Sequence, residues 1–237
     1  MRRGLAPNPE AARAAIEAGR VLVSGSEARV AGRLVAAADP VRFVAPGPAF
    51  VSRGGQKLTA ALERFGVDAI GRSTLDAGSS TGGFTDCLLQ RGAASVVAVD
   101  VGRGQLHARL RSDPRVTVCE RTDIRTFDVN AAGGPFDLVV ADLSFISLRS
   151  VLDELLAATT AGGELIALVK PQFEVTQAEA SRHRGVITDP RLWTAVLADV
   201  GQAIRDRGAA IMGVMPSPLR GASGNVEFLV HVVRGGS

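Results

Sequence analysis

With 237 residues, 46% of them hydrophobic and 22% charged, the chain is long enough for one large domain or for a small one joined to a medium one, and disordered and fibrous classes are excluded. No run approaches the roughly 20 apolar residues of a membrane helix, and Met1-Arg2-Arg3-Gly4 is not followed by the apolar stretch of a signal peptide, so a soluble cytoplasmic protein is expected. Charge is uneven: residues 1–57 carry eight Arg and one Lys against four acids, a net of +5, whereas the remainder sets eighteen cations against twenty acids, and a basic head on a near-neutral body is the pattern of a nucleic-acid-binding module.

Asn8-Pro9-Glu10 supplies a capping side chain, a proline suited to the first helical position and an acid for the first turn, which predicts a helix over Ala11 to Ala18 stopped by Gly19. Val21-Leu22-Val23 reads as a strand and Ser24-Gly25-Ser26 as a turn. β-like pieces near Ala28 to Val35 and Val41 to Val44 complete a small α+β unit over residues 1–45. The Pro- and Gly-rich stretch Ala45-Pro46-Gly47-Pro48 marks a linker, placed at residues 46–52. Residues 53–237 then alternate strand and helix, which predicts an α/β, doubly wound, mostly parallel sheet covered on both faces. Strands are expected at Thr74 to Ala77, Ser95 to Asp100, Val116 to Cys119, Leu138 to Asp142 and Glu164 to Lys170. Helices are expected at Gly83 to Gln90, Gln105 to Arg111, Ser147 to Ala158 and Pro190 to Arg207, with closing strands at Ala210 to Met215 and Val226 to Val233. Only ten residues separate those last two strands, too few for a helical crossover, so the final strand must run antiparallel. A seven-stranded sheet with one reversed terminal strand is the architecture of S-adenosylmethionine (SAM) methyltransferases, whereas dinucleotide dehydrogenases keep theirs parallel.

Leu75-Asp76-Ala77-Gly78-Ser79-Ser80-Thr81-Gly82-Gly83-Phe84 lies where the first of these strands gives way to a helix, the place where open α/β sheets bind ligands. The dinucleotide fingerprint G-x-G-x-x-G fails because Ser80 occupies its second glycine. The phosphate loop G-x-x-x-x-G-K-[ST] fails because Phe84 stands where its lysine belongs. An acidic residue entering a glycine turn suits the positive ammonium and sulfonium of SAM better than phosphates. Asp100, at the end of the next strand, is placed for a ribose diol, and Asp123, after the third, for an adenine amino group.

The acceptor chemistry is read from the strand ends. Enzymes that methylate exocyclic amines commonly carry an Asn/Asp-Pro-Pro-aromatic turn after the fourth strand. Here the turn is Ala141-Asp142-Leu143-Ser144-Phe145, without the prolines. An oxygen acceptor instead needs a group to take a proton and charges to steady the alkoxide. Of 27 cationic residues only Lys57 and Lys170 are lysine, and lysine, unlike arginine, gives up its proton. Two lysines held side by side favour the neutral amine in one of them. Cys87 and Cys119 form no C-x-x-C pair, and His107, His183 and His231 are scattered, so neither a disulfide nor a metal site is expected.

Taken together, Ser52 to Leu58, Leu75 to Leu89 with its Ser-Thr-Gly-Gly-Phe-Thr-Asp core, Val99 to Leu106, Ala141 to Leu148, Val169 to Glu174 and Pro216 to Phe228 resemble the TlyA type of ribosomal RNA 2′-O-methyltransferase, whose catalytic domain is similar to the FtsJ-like enzymes and which has been labelled haemolysin. The resemblance implies a Lys-Asp-Lys-Glu catalytic set at Lys57, Asp142, Lys170 and Glu227. It also implies SAM as cofactor, held by Asp76, Gly78 to Phe84, Asp100, Val101, Asp123 and Asp142, and methylation of cytidine ribose in ribosomal RNA. The head resembles an alpha-L RNA-binding domain through Arg3-Gly4-Leu5 and Ala14 to Gly25, with the usual first helix missing ahead of Met1, the form linked in the family to large-subunit RNA. RNA contacts are expected at Arg3, Arg13, Arg20 and Arg53. Arg103, Asp123 and Ser181-Arg182-His183-Arg184 depart from the family pattern. With no Tyr and a single Trp, phosphate contacts by Arg are expected to outweigh base stacking on a sheet. Two other functions fit the same residues: a small-molecule O-methyltransferase recruited from this scaffold, and an RNA-binding protein without transfer activity.

Overall fold

Asn8 caps the first helix as its position suggests, its side-chain oxygen accepting the Ala11 N–H at 2.7 Å, and helix α1 runs Pro9–Glu17. This computed structural model describes residues 4–17, 19–28, 30–36, 38–43 and 49–236, which fall into two units, Met1–Ala49 and Phe50–Ser237. In the first unit, strand β1 (Val21–Val23) pairs antiparallel with β2 (Ser26–Glu27) and β3 (Val41–Phe43), and Ala15, Val21, Val23 and Ala28 form its small core. Among the described residues of the expected strand over Ala28 to Val35, none is in a strand. Val30 and Leu34 are exposed, so β-branched and apolar residues there have no layer to pack against and their propensity alone does not hold a strand. Arg3, Ala18, Val44 and the linker residues Ala45 to Pro48 lie outside the described residues.

The second unit opens with Phe50, and Val51 N–H donates to buried Asp86 Oδ2 at 2.8 Å, so residues 50–52 pack with the sheet domain rather than extending the linker. Helix α2 (Gly54–Phe65) was not anticipated. Its Gly-Gly start conceals the helix, although Leu58, Ala61 and Leu62 keep a helical spacing and are all buried.

Seven strands follow: β4 (Ser73–Ala77), β5 (Ser95–Asp100), β6 (Val116–Glu120), β7 (Phe136–Ala141), β8 (Thr159–Val169), β9 (Ala210–Pro216) and β10 (Phe228–Val233). Their order is β6-β5-β4-β7-β8-β10-β9. Strands β4 to β8 are parallel, and β10 runs antiparallel to both neighbours, as the short last connection requires. Along the central strands alternate residues enter two cores: Leu75, Val139 and Leu165 join one, and Leu138, Val140 and Ile166 join the other. Such strands, buried on both faces, explain the near-continuous apolar runs in the sequence.

The covering helices are α3 (Gly83–Gln90), α4 (Ala108–Arg111), α5 (Leu152–Ala158), α6 (Pro171–Glu174), α7 (Gln177–Arg182) and α8 (Pro190–Arg205). Helix α4 is one turn where two were expected. His107 Nδ1 accepts the Arg109 N–H and caps it, leaving residues 101–106 as a loop.

Candidate active site

The sheet edge assembles the charged residues. Strands β7 and β8 run parallel and stop at Ala141 and Val169, so Asp142 and Lys170 emerge at the same edge. Strand β10 enters from that edge with Phe228 paired to Val169, which places Glu227 one step beyond, level with Lys170. The fourth member, Lys57, comes from the first turn of α2. Glycine pairs permit that approach: a Cβ on Gly83 would lie 3.0 Å from Gly55 N and 3.1 Å from Gly54 Cα, and one on Gly55 would collide with the Phe50 ring. The motifs Ser52-Arg53-Gly54-Gly55 and Thr81-Gly82-Gly83-Phe84 are thus two sides of one helix contact.

The four charges alternate in sign along a chain. Lys57 Nζ donates to Glu227 Oε2 at 2.6 Å and lies 3.9 Å from Asp142 Oδ2, while Lys170 Nζ is 2.7 Å from Asp142 Oδ1. Glu227 and Lys170 are buried, so neither charge would be tolerated alone and each is held by its partner. Lys170 Nζ also donates to Ser144 Oγ at 2.9 Å and stands 5.9 Å from the centre of the Phe173 ring.

The glycine turn closes against this cluster. Gly78 (φ +85°) brings the chain so near Asp142 that a Cβ would lie 2.6 Å from its carbonyl oxygen, and Gly78 and Ser79 N–H groups both donate to Val99 O. Gly82 (φ +97°) completes the turn, donating to Ser79 O at 2.7 Å. Between turn and charges lies a cavity of about 700 Å³ whose walls include Gly78, Ser79, Ser80, Thr81, Gly83 and Phe84 on one side and Lys57, Asp142, Lys170 and Glu227 on the other. That size lies within the range of small-molecule sites. Arg53 is at its rim.

The remaining candidates sit elsewhere. Asp76 lies beneath the turn, not at its face: fully buried, its Oδ2 accepts from Thr85 N at 2.9 Å and Thr85 Oγ1 at 2.6 Å, anchoring the start of α3. Burial pushes its carboxyl up to about 7 despite the two Thr85 hydrogen bonds. Gly82, Asp100, Val101 and Asp123 are not on the cavity wall. Asp100 accepts the N–H groups of Ser80 and Gly102, shaping the turn, and Val101 is exposed beside it. Asp123 caps a short 3-10 turn, and hydrogen bonds from Arg125 hold its carboxyl at about 2. In the first unit, Arg13 is exposed and Arg20 half-buried.

Sequence reasoning missed an aromatic platform. Phe145, at φ +64° and 91% exposed, pairs with Phe173 at 5.4 Å between ring centres, and both line the cavity. A bulky residue in the left-handed region is strained, and the loop is tied down to sustain it: buried Glu174 accepts from Ser147 Oγ, Leu148 N and Arg149 Nε. A phenylalanine right after a polar turn at a strand end was the available signal. Among the described residues no cluster of three His, Cys, Asp or Glu is placed to hold a metal, and no helix is long and apolar enough to cross a membrane.

Comparison with known proteins places the chain in a family. The model of the FtsJ-like methyltransferase family matches residues 50–234. The 16S/23S rRNA (cytidine-2′-O)-methyltransferase TlyA of Mycobacterium tuberculosis is 46% identical over 231 residues, 97% of this chain and 86% of that protein. The 23S rRNA (cytidine-2′-O)-methyltransferase TlyA of Campylobacter jejuni is 36% identical over 185 residues, covering 78% of this chain and 71% of its own. A solved structure described as a hemolysin, from Streptococcus thermophilus, superposes with a TM-score of 0.77 at 36% identity over 100% of this chain and 86% of that one. The chain belongs to the FtsJ-like methyltransferase family.

Proposed function

We propose that this protein methylates the 2′-oxygen of a cytidine ribose in ribosomal RNA of the large subunit, using SAM, and therefore acts in the cytoplasm. The observation that carries the reading is the alternating chain Glu227, Lys57, Asp142, Lys170 on one wall of the cavity, assembled from the only two lysines of the sequence. The relatives named above, which act on cytidine 2′-oxygens of 23S or of 16S and 23S RNA, support the substrate.

The residues fit the cofactor. The turn from Gly78 to Thr81 offers a bare backbone cradle in which side chains at Gly78 would strike Asp142, and no cation stands in the turn to prefer a phosphate. Ser79, Ser80, Thr81 and Phe84 would hold the methionyl and ribosyl parts. Asp100 would serve the ribose diol, since its two hydrogen bonds leave lone pairs on both oxygens. Asp123 is already engaged by Arg125, so an adenine contact there falls more naturally to the loop backbone. SAM supplies a methyl group on a positively charged sulfur.

The protein supplies the rest. A ribose hydroxyl is a weak nucleophile until its proton has somewhere to go, and Lys170 in its neutral form accepts it. Lys57, clamped by Glu227, faces the developing negative oxygen. Asp142 touches both lysines and fixes their separation. Phe145 offers an exposed ring on which the nucleobase of the target stacks, and Arg53 a phosphate contact at the rim.

The test is primer extension on ribosomal RNA from a strain lacking the gene. One 2′-O-methyl stop should vanish and return on complementation. An unchanged stop pattern refutes RNA methylation.

A further inference from the structure

We infer that Ser144 is a positioning residue that aims the Lys170 amine at the substrate oxygen. The inference rests on the methyl-transfer reading above and extends it to a residue outside the four charged groups.

The argument starts from the valence of the amine. A neutral primary amine has one carbon substituent, two N–H bonds and a single lone pair in tetrahedral array. To take a proton, that lone pair must point at the hydroxyl. Lys170 Nζ makes one directed hydrogen bond in the protein, to Ser144 Oγ at 2.9 Å, whereas its 2.7 Å contact with Asp142 Oδ1 is an ion-pair contact without hydrogen-bond alignment. With one N–H directed at Ser144 Oγ and Cε fixed by a buried stem, the lone pair is confined to the remaining tetrahedral directions. Lys170 lines the cavity together with Asp142 and Ser144, so a substrate oxygen entering there would meet one of these directions. Without Ser144 no directed hydrogen bond fixes the rotation of the amine about Cε–Nζ, and the undirected attraction of Asp142 leaves the lone pair free to turn.

The backbone is arranged to keep Ser144 in place. The left-handed Phe145 that follows it lets two consecutive side chains, Ser144 and Phe145, both face the cavity, where an extended chain would send them to opposite sides. Glu174 pins the loop at Ser147 and Leu148, and the peptide N–H of Asp142 is tied to Ala77 O at 3.0 Å. A strained loop fixed at both ends is an expensive way to present a serine unless its hydroxyl has a task.

The test uses Ser144→Ala and Ser144→Thr in the full-length protein. Ser144 is exposed and outside the core, so both variants should fold. In Ser144→Ala, kcat for methyl transfer to ribosomal RNA should fall about tenfold or more, with KM for RNA and the affinity for SAM within about twofold of wild type. Ser144→Thr, which keeps the hydroxyl, should recover most of the rate. A second readout is independent of activity. With only two lysines, ¹⁵N-detected NMR of the side-chain amines gives two signals. That of Lys170 should lose protection against solvent exchange in Ser144→Ala while that of Lys57 keeps it. A wild-type rate in Ser144→Ala, a loss lying in KM or SAM affinity, or unchanged Lys170 exchange overturns the inference. If wild-type protein transfers no methyl to RNA, the proposed function fails, and the NMR comparison still decides whether Ser144 holds Lys170.

Discussion

Gly221 offers the cleanest mechanical perturbation of the charged chain. It lies in the loop between β9 and β10, where its backbone passes directly over the carboxylate of Glu227: a Cβ there would stand 2.5 Å from Oε1 and 3.1 Å from Cδ. A carbon and an oxygen need roughly 3.3 Å, so in Gly221→Ala the carboxylate must retreat by about 0.8 Å. It is buried and held 2.6 Å from Lys57 Nζ. Stretching that contact to about 3.4 Å at an effective dielectric near 20 weakens the attraction by about 1.5 kcal/mol, or about tenfold if expressed in the transition state. Displacement of Lys57 itself adds to this, since misplacing a catalytic group by about 1 Å costs on the order of 10²-fold. Methyl transfer to ribosomal subunits should therefore fall between about 10- and 100-fold, while SAM affinity, measured calorimetrically, stays near wild type because the glycine turn is untouched. Gly221 has no left-handed backbone, so alanine adds no strain of its own. The companion Gly224→Ala, at φ +90° with open space around its Cβ position, strains the same loop without touching Glu227 and should cost stability rather than rate. Wild-type kcat in Gly221→Ala, or an equal kcat loss in both variants, would refute the reasoning.

Three further outcomes follow from the site. Lys170→Arg should bind SAM normally and lose most transfer activity, because a guanidinium cannot take the proton; near-normal turnover would remove Lys170 from that role. Phe145→Ala should leave the melting temperature unchanged, its ring being 91% exposed, and lower kcat/KM for RNA by roughly 5- to 100-fold through a lost stacking contact of about 1–3 kcal/mol. Asp76 should make stability depend on pH. Its carboxyl is near 3.8 in a model peptide and about 7 in the fold, so below pH about 4 it is protonated in both states and between about 4 and 7 only when folded. Its contribution is therefore fully present in acid and lost as pH rises to about 7, by up to about 4 kcal/mol, and Asp76→Asn should flatten denaturation midpoints over that interval; an unchanged profile contradicts this.

The sheet was legible because its strands are buried on both faces and read as apolar runs, and because ten residues before the last strand admit only a reversal. Composition singled out the two lysines, which stand out in a chain that uses Arg almost everywhere, while the set of four with Asp142 and Glu227 came from the family resemblance. Helix α2 was missed because Gly54 and Gly55 look like a turn, whereas Gly55 leaves room for the Phe50 ring and Gly83 of α3 approaches the backbone of both. Asp76 was expected at the ligand face because it precedes the glycine turn, but strand alternation sends its side chain beneath the turn to Thr85. Phe145 and Ser144 escaped because their importance comes from one left-handed residue, which a phenylalanine after a polar turn does not by itself announce. Gly221 escaped because the atom it must avoid, Glu227 Oε1, is six residues away across a loop.

The central claim is that a methyl group reaches a cytidine 2′-oxygen in ribosomal RNA with Lys170 taking the proton. Purified protein, ribosomal subunits from a strain lacking the gene and SAM carrying a trideuterated methyl group test it in one reaction, read by mass spectrometry of the digested nucleosides. Trideuterated 2′-O-methylcytidine should appear in large-subunit RNA and be absent with Lys170→Arg. Label on a nucleobase, on another ribose, or on no nucleoside at all would contradict it.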